Sequence, residues 1–396
     1  MHKKKDILFV MNNLNVGGAE KALVSMLQVF DYDRYNVDLL LFKEEGLFLK
    51  QVPQEVNILD EPENYRYFDM PFHQVVKENF FTWRWNNILR RIQFKQAVSR
   101  AQNAAEAEQF GWKALSKALS PLSKKYDVAI GFLEKNPNYF VVDKVKAEKK
   151  IAYIHNDYNQ LQLNKDFDMF YFHKFNHIVT VSSDCLDVLK TIFPQFQERF
   201  HLIYNIISEA AIRKLAIERD GILQEGFNII SVGRLEYQKG YDLAYESVKQ
   251  VISAYPIVNW YILGAGSHEQ WLVSKIKQDS LDDKIFVLGT VANPYPYIAS
   301  ADLFLHTARF EGYGIVVTEA KILRKPIVVT DFNTAASLIE HNLTGLICEM
   351  NTQSVTDSIK AIIENGELRS KLIRNLTLDS FGTEKEIGKF YQLIES

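Results

Sequence analysis

What this chain of 396 residues lacks narrows its function first. It has two cysteines, Cys185 and Cys348, neither with metal-ligand spacing, so buried reduced thiols are expected rather than a disulfide. It has no excess of one charge: 46 Lys and Arg stand against 49 Asp and Glu, and a net charge of −3 offers no field for nucleic acid. No apolar run reaches the length of a membrane span. Lys3-Lys4-Lys5 is followed by a short strand, too brief for the apolar region of a secretory signal, so a cytoplasmic location is expected. No Gly-x-Gly-x-x-Gly follows that strand, which argues against a dinucleotide-dependent dehydrogenase. Internal repeats and low-complexity tracts are absent.

What is present is an alternation of strand and helix patterns, with 47% hydrophobic residues and enough length for two full cores. Strands are predicted at 6–11, 36–42, 127–131, 150–154 and 177–181, then at 227–232, 258–263, 284–288, 302–305, 326–329 and 344–347. Strands alternating with helices imply parallel sheets covered on both faces, an α/β fold whose ligands bind beyond the carboxyl ends of the strands. The expected organisation is an N-terminal domain over 1–205, carrying a helical, basic and aromatic insertion at about 71–125. A second domain follows over 206–380, and a C-terminal helix over 381–396 crosses back to the first. The boundary is placed in a polar, charged segment near 205–226.

The densest motif is Phe310-Glu311-Gly312-Tyr313-Gly314-Ile315-Val316-Val317-Thr318-Glu319-Ala320. Two glutamates eight residues apart, one at a helix mouth and one two turns inside, are expected to face the same side. Gly312 and Gly314 would let backbone amides approach a ligand closely. Paired carboxylates suit hydroxyl groups of sugar and ribose. A second motif, Asn228 to Gly240, reads as a buried strand followed by a turn with two cations, Arg234 and Lys239. Five residues apart around a turn, both can meet one diphosphate. Helix periodicity resumes at Leu243. The third element is a strand, a polar loop from Asn12 to Gly18 and a helix, with Gly17-Gly18 at the helix mouth, where amides and dipole favour an anion. A plain tight turn is the alternative there.

These three motifs resemble the retaining nucleotide-sugar glycosyltransferases of family 4, with its GT-B fold and Glu-x7-Glu signature. The resemblance is stronger across 227–350 and looser across 1–205. It implies two Rossmann-like doubly wound domains facing across a cleft. In that family the first Glu holds the donor sugar and the second the ribose, which maps to Glu311 and Glu319. The cations binding the diphosphate map to Arg234 and Lys239, and the Gly-Gly loop over the distal phosphate maps to Gly17 and Gly18. Gly312, Tyr313 and Gly314 complete the donor-binding set. Asn205 stands where the family has a hinge-proximal Asn, although Ile206 replaces the usual Gly.

In the first domain, Lys150 to Tyr158 reads as a strand ending in a polar cluster, with His155 at its carboxyl end and off its apolar face. The resemblance implies that His155 contacts the donor sugar, and Asp157 is the candidate acceptor ligand. The other readings are a capping role for each. No metal is expected. Asp31/Asp33 and Asp166/Asp168 read as turn or cap residues, and Arg234 and Lys239 can neutralise the charge a metal otherwise would. Between 77 and 100 there are six Lys or Arg and one acid, Glu78, among aromatics at helical spacing. Such a helix suits an anionic membrane surface; the other reading is a helical pair packed on the first domain, with aromatics in the core and cations in water.

The expected function is transfer of a sugar from a nucleoside diphosphate carrier, uridine by family frequency, to a hydroxyl of a glycan or lipid-linked glycan. The setting expected is bacterial surface polysaccharide biosynthesis, in the cytoplasm or at the inner face of the membrane, with no cofactor. The rival is a non-catalytic GT-B subunit that binds glycan or stabilises a partner enzyme.

Overall fold

The computed structural model describes residues 3–15, 17–80, 85–217 and 223–396. The chain divides into two compact units. The first comprises Met1–Asn15, Ala19–Tyr204 and Lys385–Ser396, and the second Val16–Gly18 and Asn205–Glu384.

The first unit is built on seven strands: β1 (Lys5–Met11), β2 (Tyr35–Leu41), β3 (Val56–Leu59), β4 (Lys125–Gly131), β5 (Lys146–Ile154), β6 (His177–Thr180) and β7 (Phe200–Leu202). They pair in the order β3-β2-β1-β4-β5-β6-β7, parallel throughout. β1 is the reason the sheet holds a centre. Its run Ile7–Met11 is fully buried, as a strand flanked on both edges and covered on both faces must be. The chain leaves β1 towards β2 and β3, then returns to the other edge for β4. That reversal leaves the loops after β1 and β4 next to each other at the carboxyl end.

The insertion forms a helical pair on the first unit, as one of its two readings has it: Phe72–Phe80 and Trp85–Val98. Residues 81–84, including Trp83 and Arg84, lie outside the described residues. Two buried asparagines fasten the pair: the Asn87 amide donates to Asn79 Oδ1 at 2.8 Å, and the Asn79 amide donates to the Val75 carbonyl at 2.9 Å. The second helix packs inward through Phe94, which contacts Phe68 edge-on at 5.3 Å and lies against Gly111 of the helix Ala104–Ser116.

The second unit has six parallel strands: β8 (Phe227–Val232), β9 (Val258–Leu263), β10 (Ile285–Gly289), β11 (Leu303–His306), β12 (Ile327–Thr330) and β13 (Leu346–Cys348). Their order is β10-β9-β8-β11-β12-β13, so the strand direction of travel reverses at β8 and β11. A buried polar chain crosses this centre: Trp260 Nε1 donates to Ser231 Oγ at 3.0 Å, which donates to the Leu305 carbonyl at 2.8 Å. The segment read as a plain polar connection contains a helix, Glu209–Leu215, capped by Ser208. The helix expected from Leu243 begins at Tyr241. Cys185 and Cys348 are buried, one in each unit, and burial pushes both thiols up to about 11.

The last helix, Ile387–Glu395, belongs to the first unit. Its Phe390 is fully buried and stacks on Phe9 at 6.0 Å, while Tyr391 stacks on Tyr35 at 5.4 Å. Lys149 and Lys5 donate to the carbonyls of Leu393 and Ile394, satisfying a helix end that would otherwise carry open acceptors. Glu395 pairs with Arg34. Deleting a buried phenyl ring costs about 3–5 kcal/mol. Phe390→Ala should therefore lower the unfolding free energy of the first unit, read from urea titration, by that amount, and a loss under about 1 kcal/mol would show that the helix contributes little.

Candidate functional site

In the second unit the loops after β8, β11 and β12 converge where the strand order reverses, the place such sheets bind ligands. After β8 the chain passes Gly233 and Arg234, makes one turn at Tyr237–Lys239, and enters the helix Tyr241–Ala254 through Gly240. Gly240 is left-handed at φ 62°, and a Cβ there would lie 2.1 Å from the Thr307 carbonyl oxygen. Thr307 lies just past β11, and its hydroxyl donates to the carbonyls of Lys239 and Gly240 at 3.1 and 3.0 Å. The two loops are thereby bolted together. Arg309 adds a second fastening, with its guanidinium 4.0 Å from the Tyr237 ring centroid and 2.7 Å from Asp242.

This close approach brings Lys239 onto Glu311. Lys239 Nζ pairs with Glu311 Oε1, and His306 Nε2 lies 3.0 Å from the same oxygen. The main chain of Glu311 is clamped from the loop after β12. Its N–H donates to Asn333 Oδ1 and its carbonyl accepts from Asn333 Nδ2, each at 3.0 Å. Burial opposes ionisation of Glu311, but the Lys239 charge and the His306 hydrogen bond outweigh it and hold the carboxyl down at about 2. Burial lowers His306 despite Glu311, so the imidazole is neutral at pH 7. Its Nε2 must then carry the hydrogen, because an ionised carboxylate can only accept.

The two glutamates do not share a helix face. The helix Ile315–Ile322 starts after Gly314, whose left-handed φ of 68° breaks the helical register, so Glu311 stays in the preceding loop. Only Glu319 is helical. It is 1% exposed and accepts at Oε1 from the Tyr295 hydroxyl at 3.1 Å. Arg234 is exposed, and its charge helps keep Glu236 ionised. Gly17 and Gly18 group with the second unit, and Gly18 opens the helix Gly18–Gln28. Gly312 is buried beside Glu311, and Tyr313 is half-buried.

In the first unit His155 follows β5, but its ring is not off the apolar face. It stacks on Tyr153 at 5.6 Å and tilts against Phe132 at 5.0 Å. Burial pushes it down to about 4 despite the nearby Glu134. Neither ring nitrogen finds a hydrogen-bond partner among the described residues. Glu134 instead ties the loop itself, accepting from the His155 N–H at 3.0 Å and the Asn156 amide at 2.7 Å. Asp157 caps the short turn Tyr158–Gln160 through the Asn159 N–H. Asp168, read as a turn or cap residue, is neither. It is buried in the helix Lys165–Phe172, accepts from the Tyr139 and Tyr158 hydroxyls, and is pushed by burial up to about 6.

Sequence reasoning missed His306, Tyr295, Asn333 and Arg309. The signal for His306 was available: it ends a strand, the feature that singled out His155. Asn333 and Tyr295 carry no such mark, because their neighbours come from other strands and the strand order is not written in the local sequence. Among the described residues no group of three or more His, Cys, Asp or Glu gathers as a metal site.

Residues 213–378 match the family described as glycosyl transferases group 1. A Campylobacter jejuni protein, N-acetylgalactosamine-N,N'-diacetylbacillosaminyl-diphospho-undecaprenol 4-alpha-N-acetylgalactosaminyltransferase, is 30% identical over 221 residues, 55% of this chain and 59% of that protein. A Staphylococcus aureus poly(ribitol-phosphate) alpha-N-acetylglucosaminyltransferase is 27% identical over 171 residues, 42% of this chain and 34% of that protein. The chain thus spans about half the length or less of these curated relatives. Among solved structures, Anabaena HepE in complex with UDP and glucose superposes with a TM-score of 0.68 at 17% identity, covering 99% of this chain and 100% of that one. A variant of S. aureus TarM in complex with Fondaparinux, alpha-GlcNAc-glycerol and UDP gives 0.68 at 16%, with the same coverage. The fold is therefore GT-B, with a Rossmann-like parallel sheet in each unit.

The ion pair makes an acid-side prediction. A carboxyl held near 2 instead of its usual 4.5 contributes stability that is present above pH 4.5 and lost as pH falls towards 2, about 3 kcal/mol in full. Lys239→Met should remove most of that increment. In urea unfolding the variant should be clearly weaker than the parent at pH 7 and nearly equal to it at pH 2. An equal deficit at both pH values would mean that Lys239 does not hold Glu311 ionised.

Proposed function

We propose that this protein is a retaining glycosyltransferase that moves a hexose-type sugar from a nucleoside diphosphate, UDP first, to a hydroxyl of a glycan or lipid-linked glycan. The observation that carries this reading is the Lys239–Glu311 pair, held between the loops after β8 and β11 at the strand-order reversal, with Arg234 on the same loop as Lys239. Arg234 and Lys239 would take the diphosphate, with the Gly17 and Gly18 amides as further donors. Glu311, with Gly312, Tyr313 and Gly314, would hold the sugar, and Glu319 the ribose hydroxyls. Charge that develops on the departing diphosphate would fall on fixed cations, so no metal or cofactor is invoked. No side chain stands out as a covalent nucleophile. The acceptor would attack on the leaving-group face and pass its proton to the departing phosphate. In the first unit, His155 is assigned to the donor sugar and Asp157 to the acceptor.

The setting proposed is bacterial surface polysaccharide synthesis, in keeping with a relative whose name carries a diphospho-undecaprenol acceptor and with neighbours solved with UDP. Calorimetric titration with UDP, GDP and ADP, with and without EDTA, tests it. One nucleotide should bind regardless of chelator, Glu319→Ala should weaken it, and Arg234→Ala should lower turnover on the order of 10²-fold. Binding without turnover on any acceptor mixture would favour the non-catalytic subunit.

A second proposal concerns the helix Trp85–Val98. Trp85, Leu89 and Ile92 are exposed at spacings of four and three, one face of the helix, opposite the inward Phe94. Phe80 adds an exposed ring 4.5 Å from Trp85. Lys77, Arg90, Arg91 and Lys95 flank them, which suits an anionic bilayer surface. No helix among the described residues is long and apolar enough to cross a membrane. Vesicles rich in anionic lipid should float the protein, and Leu89→Glu with Trp85→Ala should abolish flotation. Equal flotation of the double variant would assign this face another role.

A further inference from the structure

We propose that His306 takes up a proton when a nucleoside diphosphate draws Lys239 away from Glu311, so that the buried carboxylate is never left without a cation. This rests on the reading of Lys239 as a diphosphate ligand and goes beyond it, because it assigns a function to a histidine that would touch neither sugar nor phosphate.

Lys239 Nζ and His306 Nε2 converge on a single oxygen, Glu311 Oε1. Of the three side chains only Lys239 keeps appreciable exposure, 15% against 8% for Glu311 and 4% for His306. It is also the flexible member, with a four-carbon stem lying over Gly233, where a Cβ would come within 3.5 Å of its Cε. Lys239 can therefore swing, and the other two cannot. His306 is fixed between Phe304, stacked at 6.4 Å, and Phe332, edge-on at 5.7 Å. Glu311 is clamped through its main chain by Asn333.

One cation cannot fully serve two anions. If Lys239 turns to a diphosphate, Glu311 keeps one neutral donor in a site shielded from water. A buried carboxylate stripped of its partner is among the costlier states a protein can hold, whereas charging an imidazole near neutral pH costs little. The other titratable group at hand is Tyr241, whose hydroxyl donates to the Gly233 carbonyl at 3.2 Å and is kept protonated by burial and by Glu311. It can supply no positive charge. Phe304 and Phe332 supply none, and Asn333 engages the Glu311 backbone. His306 is the group left, already in hydrogen-bond contact with the oxygen that needs it. The proton comes from solvent and returns there when the nucleotide leaves and Lys239 swings back.

The sign of the pH dependence follows. The complex holds one more proton than the free protein, so affinity for the diphosphate rises as pH falls from 8, by up to about tenfold per pH unit. Uptake of a proton also distinguishes this role from mere packing of a buried histidine.

The test is calorimetry of the full chain with UDP at pH 8, in two buffers of different ionisation enthalpy. At that pH the terminal phosphate of free UDP is already ionised, so the nucleotide takes no part in the exchange. The parent should take up about one proton per site. His306→Gln, which keeps an N–H for Glu311, should bind UDP with no net uptake and a flat pH profile. An independent arm needs no ligand: Lys239→Met should raise the His306 titration in the free protein, read from its ring-proton resonances. UDP binding without proton uptake in the parent overturns the proposal, as does undiminished uptake in His306→Gln or an unmoved His306 titration in Lys239→Met. Failure of UDP to bind at all overturns the nucleotide-site reading beneath it, a result that the bound but proton-neutral outcome does not resemble.

Discussion

A carboxylate buried at the end of a parallel sheet needs a cation within reach, and the second unit is organised around meeting that need for Glu311. Lys239 can reach it because Gly240, left-handed and without a Cβ, lets the loop after β8 lie directly on Thr307. Thr307 is there because β11 pairs with β8 rather than following β10 at the sheet edge. The loop after β12 closes the arrangement by holding the Glu311 backbone through Asn333. Remove any one of these and the ion pair loses its geometry, leaving a charge in a place that tolerates only a paired one.

Each unit carries the same topological device. In the first, β1 lies between β2 and β4; in the second, β8 lies between β9 and β11. Both reversals leave two loops without a covering connection, and polar side chains collect there: Glu134 after β4, which holds the His155 loop after β5, in one unit, and Lys239 and Glu311 in the other. The two clusters differ in charge. Burial has driven His155 towards the neutral form. In the second unit a fixed ion pair sits where a charged ligand would have to compete for one of its members.

The alternating architecture was legible because the central strands are unmistakable. Ile7–Met11 is an unbroken apolar run, Phe227–Val232 is apolar except for Asn228 and Ser231, and such runs point to burial on both faces. β3 and β7 were not legible. They are edge strands of four and three residues whose half-exposed pattern resembles loop. The helical pair Phe72–Phe80 and Trp85–Val98 was one of two readings, but nothing in the local sequence marks Asn79 and Asn87 as the residues that fasten it. Glu311, Glu319, Arg234 and Lys239 were marked by local spacing and by the resemblance, but the pairing of Lys239 with Glu311 was not. Reading Glu311 and Glu319 as two positions on one helix ignored what Gly314 does to the backbone. His306 and Tyr295 become relevant only once β11 is known to lie beside β8 and Glu319 is known to point at another helix.

The central claim is that the loops after β8 and β11 form a diphosphate and sugar site in which Lys239 serves Glu311 until a ligand arrives. A crystal soaked with UDP tests this most directly. The account predicts density for the diphosphate within hydrogen-bond distance of Arg234 and Lys239, ribose hydroxyls at Glu319, and the Lys239 ammonium moved off Glu311. UDP bound elsewhere, or bound with the Lys239–Glu311 pair intact, would contradict it.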